Sequence, residues 1–302
     1  MRAKVIDGRK IAAEIRAEVA EEVRRLGAQG VRPGLGVVLV GEDPASQVYV
    51  RMKTRACAEA GLHHRDILPP STATRGELLA IVDELNEDPD IHGILVQLPL
   101  PEHLDDREVT ERIVPWKDVD GFHPVNQGRM AQGDRDAFRP ATPAGIQELI
   151  RRTGVDTAGR HVVIVGRSNI VGMPTGIILL QKEPGANATV TIAHSRTRDL
   201  AGITRQGEIL IVAVGRPEMI TGDMVREGAV VIDVGVNRVE DPTTEKGYRL
   251  VGDVDFAAAA ERADWITPVP GGVGPMTIAM LLKNTVEAAR RTLEDATAAA
   301  WG

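Results

Sequence analysis

Two periods of apolar and polar positions alternate along this chain. Residues 10–26 (KIAAEIRAEVAEEVRRL) carry apolar side chains at helical spacing. A buried-type apolar run follows at Leu35–Val40, and Ile94–Leu98, apolar but for Gln97, is closed by Pro99 and Pro101. Short apolar runs with such boundaries read as buried strands. Between them, Asp43-Pro44 reads as an N-cap followed by proline at the first helical position, which predicts a helix to about Gly61. Ile67–Pro69 is expected to be a short strand and Arg75–Leu85 a helix, completing a first α/β unit. The stretch Trp116–Arg139 is rich in Gly, Asp and Asn without clear periodicity, and is expected to be a linker. Thr142-Pro143 then caps a helix to about Arg152, and alternation resumes through 161–165, 174–183, 189–193, 209–214, 223–227 and 229–234. Short connections between apolar strands predict parallel pairing with right-handed crossovers. A last helix is expected from near Pro275 to about Ala298, long enough to leave the second domain and pack on the first.

Composition narrows the function. A chain of 302 residues accommodates two domains. Its net charge of −7 argues against a general nucleic-acid binder. No apolar run approaches the roughly 20 residues of a membrane helix, and the first residues (MRAKVIDGRKIAAEI) lack the apolar centre of a secretory signal. The single cysteine, Cys57, excludes an internal disulfide, fits a reducing compartment, and reads as a buried thiol without a role. The seven histidines show no metal-ligand spacing. The expectation is a cytoplasmic protein with no metal, no membrane and no nucleic-acid partner.

The strongest local signal is VIVGRSNIVGMP, Val163–Pro174. An apolar strand, Val162–Val165, meets Gly166, a short turn and Gly172, and a helix-like run follows at Ile177–Leu180. Such a turn offers backbone N–H groups and a positive helix end to a dinucleotide pyrophosphate. It departs from G-x-G-x-x-G, because Ser168 replaces the middle glycine and the last glycine lies one residue further on. Taken alone, it fits a nucleotide site or an ordinary strand-to-helix turn equally. Downstream, TVTIA (Thr189–Ala193) reads as the next strand and ends in His194-Ser195-Arg196-Thr197. An acid usually sits there to hold an NAD ribose. Arg196 and two hydroxyls stand there instead, and Arg167 adds a second cation, so the pattern points to a 2′-phosphate and NADP.

Polar groups in the first half are candidates for chemistry. Tyr49 and Lys53 are four residues apart and share a helix face. Gln97 ends an apolar strand, and Asp120 lies in PWKDVDGF. A lysine beside a phenol and an apolar wall is a candidate proton carrier, although a bare Tyr-x-x-x-Lys is more often a surface pair. In TPVPGGVGPMT (Thr267–Thr277), three glycines allow close approach to a flat ligand or make a stiff hinge.

Taken together, VGEDPASQVYVRMK, GILVQLPLP, KDVDGFHPVNQG, GRSNIVGMP, HSRT and PGGVGPMT, in this order from about residue 35 to 285, resemble the bifunctional methylenetetrahydrofolate dehydrogenase/cyclohydrolase (FolD) family. The resemblance implies two Rossmann-like α/β domains with mainly parallel sheets, joined by two long helices with a cleft between them, and a homodimer. It implies a folate-binding catalytic domain of residues 1–121 plus 278–302 and an NADP-binding domain of residues 122–277. It implies oxidation of 5,10-methylenetetrahydrofolate with NADP, then hydrolysis to 10-formyltetrahydrofolate. A dehydrogenase that has lost the hydrolytic step is the alternative, and a folate- or nucleotide-binding protein without turnover a third reading. Residue by residue, it implies catalytic roles for Lys53, Tyr49, Gln97 and Asp120, with Leu98, Gly272 and Pro275 also at the folate. On the cofactor side it implies Gly166, Arg167, Ser168, Gly172, Ser195, Arg196, Thr142, Val236 and Thr277. Three positions depart from the family pattern: Ala141 before Thr-Pro, Thr175-Gly176 after Pro174, and Arg226 where lysine is commoner.

Overall fold

A computed structural model of the chain describes residues 3–244 and 247–301. Strand β1 (Lys4–Val5) leads into helix α1 (Gly8–Gly27), whose Ala12, Ile15, Val19, Val23 and Leu26 form the buried stripe that the periodicity predicts. The chain continues through β2 (Gly34–Val38), α2 (Pro44–Ala60), β3 (His63–Ile67), α3 (Arg75–Glu87), β4 (Gly93–Val96), α4 (Asp106–Arg112), α5 (Pro124–Ala131) and α6 (Ala141–Arg152). It then alternates through β5 (His161–Val165), α7 (Gly172–Leu180), β6 (Thr189–Ala193), α8 (Leu200–Thr204), β7 (Ile209–Val212), β8 (Val230–Asp233), β9 (Asn237–Glu240), β10 (Tyr248–Val251), α9 (Phe256–Ala260), β11 (Trp265–Ile266) and α10 (Val273–Trp301).

Residues 13–141 and 278–302 form one compact unit, and residues 1–12 and 142–277 form the other. The first holds a three-stranded parallel sheet in the order β3-β2-β4. The second holds a six-stranded parallel sheet in the order β1-β11-β8-β7-β5-β6, and a two-stranded antiparallel ribbon of β9 and β10. Both units are thus α/β with parallel sheets. The buried strands have the expected composition: β2, β4, β7 and β8 are buried along their whole length. Local signals fix the helix ends. The Asp43 carboxylate accepts from Ser46 N–H at 2.7 Å, with Pro44 in the first turn, and Gly61 closes α2 in the left-handed conformation at φ 82°. Thr74 and Glu77 form a reciprocal capping box that starts α3.

Four expectations change. The strand after α2 is His63–Ile67, not Ile67–Pro69. It is a half-buried edge strand of polar residues, so its sequence hides it, and Pro69 and Pro70 lack the N–H groups needed to extend it. The expected linker at 116–139 is structured and contains α5. The division between the units falls at 141/142 instead of 121/122, and residues 1–12 group with 142–277, because β1 pairs with β11. The division also passes within α1 and within α10. The segment 223–227 yields only a 3₁₀ turn, Gly222–Met224. Among the described residues, no helix is long and apolar enough to cross a membrane.

In the unit of residues 13–141 and 278–302, Asn284 on α10 ties down the segment that carries Asp120. Its side-chain amide donates to the Val119 carbonyl at 2.8 Å and the Arg139 carbonyl at 3.0 Å. Replacing Asn284 with Ala leaves both acceptors without this donor and is expected to cost about 1–3 kcal/mol in urea unfolding. An unchanged midpoint and slope would contradict this account of how the segment is held.

Candidate functional site

One face of α2 grades from solvent into the unit. Tyr49 is 47% exposed, Lys53 one turn later is 8% exposed, and Cys57 a further turn on is fully buried. Helical spacing therefore aligns these residues, while the tilt of the face gives each a different environment. Lys53 Nζ donates to Gln97 Oε1 at 2.9 Å. Gln97 lies just beyond β4, where its backbone N–H donates to the Val38 carbonyl at 2.8 Å. Its Nε2 donates to the Leu98 carbonyl at 2.8 Å, so the oxygen of the side-chain amide is turned toward the lysine. Leu98 is half-buried and precedes a cis proline, Pro99.

Burial lowers the Lys53 pKa from the ordinary lysine value, and the Asp120 carboxylate partly restores it. Asp120 itself is pushed up to about 6 by loss of water, against the pull of Lys53 and with a small push from Asp118. Lys53, Gln97 and Asp120 therefore form one coupled polar cluster at the carboxyl end of the parallel sheet. Tyr49 stands one turn out from it and takes no part in the Lys53–Gln97 hydrogen bond. Burial pushes the Cys57 thiol up to about 12, which leaves it protonated and inert.

Asp118, which sequence reasoning missed, organises the segment that carries Asp120. It is buried, and each carboxylate oxygen takes two donors. One accepts from Gly121 N–H (3.1 Å) and Phe122 N–H (3.2 Å), the other from His123 N–H (2.9 Å) and Asn126 Nδ2 (2.9 Å). Burial raises its pKa and these donors oppose the rise. Gly121 has φ +73°, and a Cβ there would lie 2.6 Å from the Arg139 carbonyl carbon. The available signal was a pair of aspartates ahead of a glycine and a His-Pro helix start.

In the other unit, the glycine turn follows β5. Gly166 has φ +129°, and a Cβ there would sit 2.2 Å from the Ala213 carbonyl oxygen. A Cβ on Gly172 would sit 2.2 Å from the Gly166 carbonyl oxygen, so both positions need glycine. Ser168 explains the departure from the usual fingerprint. Its hydroxyl accepts from Val171 N–H at 3.1 Å and Gly172 N–H at 3.4 Å, where α7 begins. Two N–H groups expected to face an anion are thus already engaged by the protein. Arg167 and Ser168 are exposed, as are Ser195 and Arg196 beyond β6. The 194–197 turn holds itself in shape: His194 N–H donates to Thr197 Oγ1 at 2.8 Å, and Arg196 N–H donates to His194 Nδ1 at 3.1 Å.

The remaining predicted residues of this unit sit in two places. The Thr142 and Thr277 hydroxyls are hydrogen-bonded at 2.8 Å, bringing the start of α6 to the first turn of α10. Gly272 and Pro275 belong to the same Gly-Pro segment, which follows a cis Val269–Pro270 bond. A Cβ on Gly8 would lie 1.8 Å from the Gly272 carbonyl oxygen. Val236, 48% exposed, lies between β8 and β9. Gly272 and Pro275 thus fall in a different unit from Lys53, Gln97, Leu98 and Asp120.

Two family models match the chain: the tetrahydrofolate dehydrogenase/cyclohydrolase catalytic domain over residues 6–120, and the NAD(P)-binding domain of the same family over residues 140–293. The bifunctional protein FolD of Moorella thermoacetica is 60% identical over 291 residues, which is 96% of this chain and 100% of that protein. Among solved structures, the bifunctional FolD of Campylobacter jejuni has a TM-score of 0.91 at 45% identity, covering 96% of this chain and 99% of that one. The Trypanosoma brucei enzyme, solved with NADP cofactor and an inhibitor, has a TM-score of 0.90 at 43% identity, covering 96% and 98%. With both domain models matched in order and a relative this similar along its whole length, the chain belongs to the tetrahydrofolate dehydrogenase/cyclohydrolase family, of the FolD type.

Proposed function

We propose that the chain carries out both reactions of its family, and that a buried proton-carrying lysine makes the second possible. The chain oxidises 5,10-methylenetetrahydrofolate to the 5,10-methenyl cation with NADP, and hydrolyses that cation to 10-formyltetrahydrofolate. The observation that carries the hydrolytic half is Lys53: buried, lowered in pKa, and bonded to an amide whose orientation is itself fixed.

Asp120 serves as the folate anchor, accepting from the pterin 2-amino group and ring N3–H as a bidentate pair. Leu98, in the same unit, supplies a flat wall. Lys53 in its neutral form takes a proton from the water that attacks the methenyl carbon. As an ammonium it then delivers one to the ring nitrogen that leaves when the five-membered ring opens. Gln97 fixes the lysine, and Tyr49 bounds it on the solvent side.

The second unit fits NADP in two respects. Gly166 and Gly172 keep the backbone free of Cβ atoms where a pyrophosphate must approach; Arg196 stands exposed where an NAD-specific protein carries an acid, and Arg167 is a second exposed cation in the glycine turn. When bound, the cofactor accepts a hydride; Gly166, Arg167, Ser168, Gly172, Ser195, Arg196, Thr142, Val236 and Thr277 would hold it. A cytoplasmic homodimer is part of the proposal and rests on the family alone.

Replacing Lys53 with Met should slow methenyl hydrolysis by about 10²–10⁴-fold, read as persistent methenyl absorbance; full hydrolysis would exclude the lysine mechanism. Asp120 must be ionised to accept two donors, so the KM for folate should rise as pH falls through about 6. Replacing Asp120 with Asn should remove that dependence and raise KM at every pH; a profile identical to the parent's would refute the anchor. Replacing Arg167 and Arg196 together with Ala should raise the KM for NADP about ten- to a hundredfold, with little change for NAD. Equal losses with both cofactors would remove the 2′-phosphate assignment.

A further inference from the structure

Two carboxylates that this chemistry does not use are buried in the unit of residues 142–277. Asp233 ends β8 and is 3% exposed; Asp253, just beyond β10, is fully enclosed. Asp253 is saturated with donors. Its Oδ2 accepts from Val214 N–H (2.6 Å) and Gly215 N–H (2.9 Å), and its Oδ1 from Arg216 N–H (2.9 Å) and Asn237 Nδ2 (2.8 Å). Asp233 accepts from the N–H groups of Gly235 (3.0 Å), Asp253 (2.9 Å) and Val254 (2.9 Å). Its own N–H donates to Thr267 Oγ1 at 2.7 Å, at the start of the Gly-Pro segment. Packing around the pair is close. A Cβ on Gly235 would lie 2.2 Å from the Asp253 carboxyl, and a Cβ on Gly252 would lie 1.8 Å from Asp233 Oδ2. Burial, with the Asp253 charge adding, pushes Asp233 up to about 7.

The staple has a definite address. It joins the segments that leave the carboxyl ends of β7 and β8, the two strands next in order to β5. The Gly166 turn leans on the first of these through Ala213, and the second carries Val236 between Gly235 and Asn237. Ligands of open parallel sheets bind at such strand ends.

We propose that Asp253, backed by Asp233, is a positioning residue for hydride transfer: it fixes segments 213–216 and 235–237 as one rigid wall for the reacting end of the cofactor. The proposal rests on reading the glycine turn and Val236 as parts of the cofactor site. It requires an acceptor at both oxygens. An Asp253→Asn side chain keeps the shape but turns an NH₂ group toward two donors.

The test uses one preparation of the full-length Asp253→Asn variant for two assays: methylenetetrahydrofolate oxidation with NADP, and methenyl hydrolysis without it. Oxidation should fall about a hundredfold or more, as expected for two lost bonds to a charged acceptor. The loss should appear mainly in kcat, since the glycine turn still holds the phosphates, and hydrolysis should stay within about twofold because its machinery lies elsewhere. Unchanged oxidation, or equal losses in both activities, would overturn the proposal. If Asp253→Asn fails to fold, Asn237→Ala removes a single donor, and a severalfold loss confined to oxidation is expected; no loss would overturn the proposal. The paired arginine variants test the underlying site separately. If they weaken NADP while Asp253→Asn and Asn237→Ala leave oxidation intact, this proposal fails and the cofactor site stands.

Discussion

Holding the Lys53 amine away from water, on a face that opens to solvent one turn earlier, is the constraint on which the rest of the catalytic unit depends. A buried ammonium is costly unless it is hydrogen-bonded or near an opposite charge. Here Gln97 supplies the hydrogen bond and Asp120 the charge, and neither removes the penalty, so the amine is poised to release its proton. Each partner depends on backbone set elsewhere. The Gln97 amide is oriented by the Leu98 carbonyl, and Asp120 is placed by a turn closed around Asp118. The surroundings of Lys53 thus follow from where β4 ends and how the chain turns after it.

The two units use the same device to hold irregular backbone. In each, a buried carboxylate takes four donors, two on each oxygen, three of them backbone N–H groups of one loop and the fourth an asparagine side chain: Asp118 in one and Asp253 in the other. In each, a glycine lies where a Cβ would collide, Gly121 with the Arg139 backbone and Gly235 with Asp253 itself. Irregular backbone costs conformational entropy to order and leaves N–H groups without ladder partners. A buried carboxylate answers the second cost for several groups at once, because each oxygen accepts two hydrogen bonds.

Much of this was legible in the sequence, for identifiable reasons. Strands β2, β4, β5, β7 and β8 are continuous apolar runs, and α2 and α3 carry their caps in the chain, so their places and types could be read. Tyr49, Lys53 and Cys57 were aligned by spacing alone, but their gradient of exposure depends on tertiary packing that spacing does not encode. The edge strand β3 and the two-residue strands β1 and β11 were missed because they are polar or too short to show a period. The structured segment after Asp118 was taken for a linker because its order comes from one side chain and four donors, not from apolar periodicity. Ser168 departs from the glycine fingerprint because its hydroxyl accepts from the N–H groups of Val171 and Gly172 where the next helix begins.

The central claim is that burial depresses the basicity of Lys53 and that Asp120 partly restores it. Direct titration of lysine side chains by NMR in selectively ¹³C-labelled protein, with Lys53→Met to assign the resonance, tests it most directly. The account predicts that Lys53 titrates below the exposed lysines, and lower still when Asp120 is replaced by Asn, because the opposing charge that supports the ammonium is gone. A Lys53 resonance titrating with the exposed lysines, indifferent to Asp120, would contradict it.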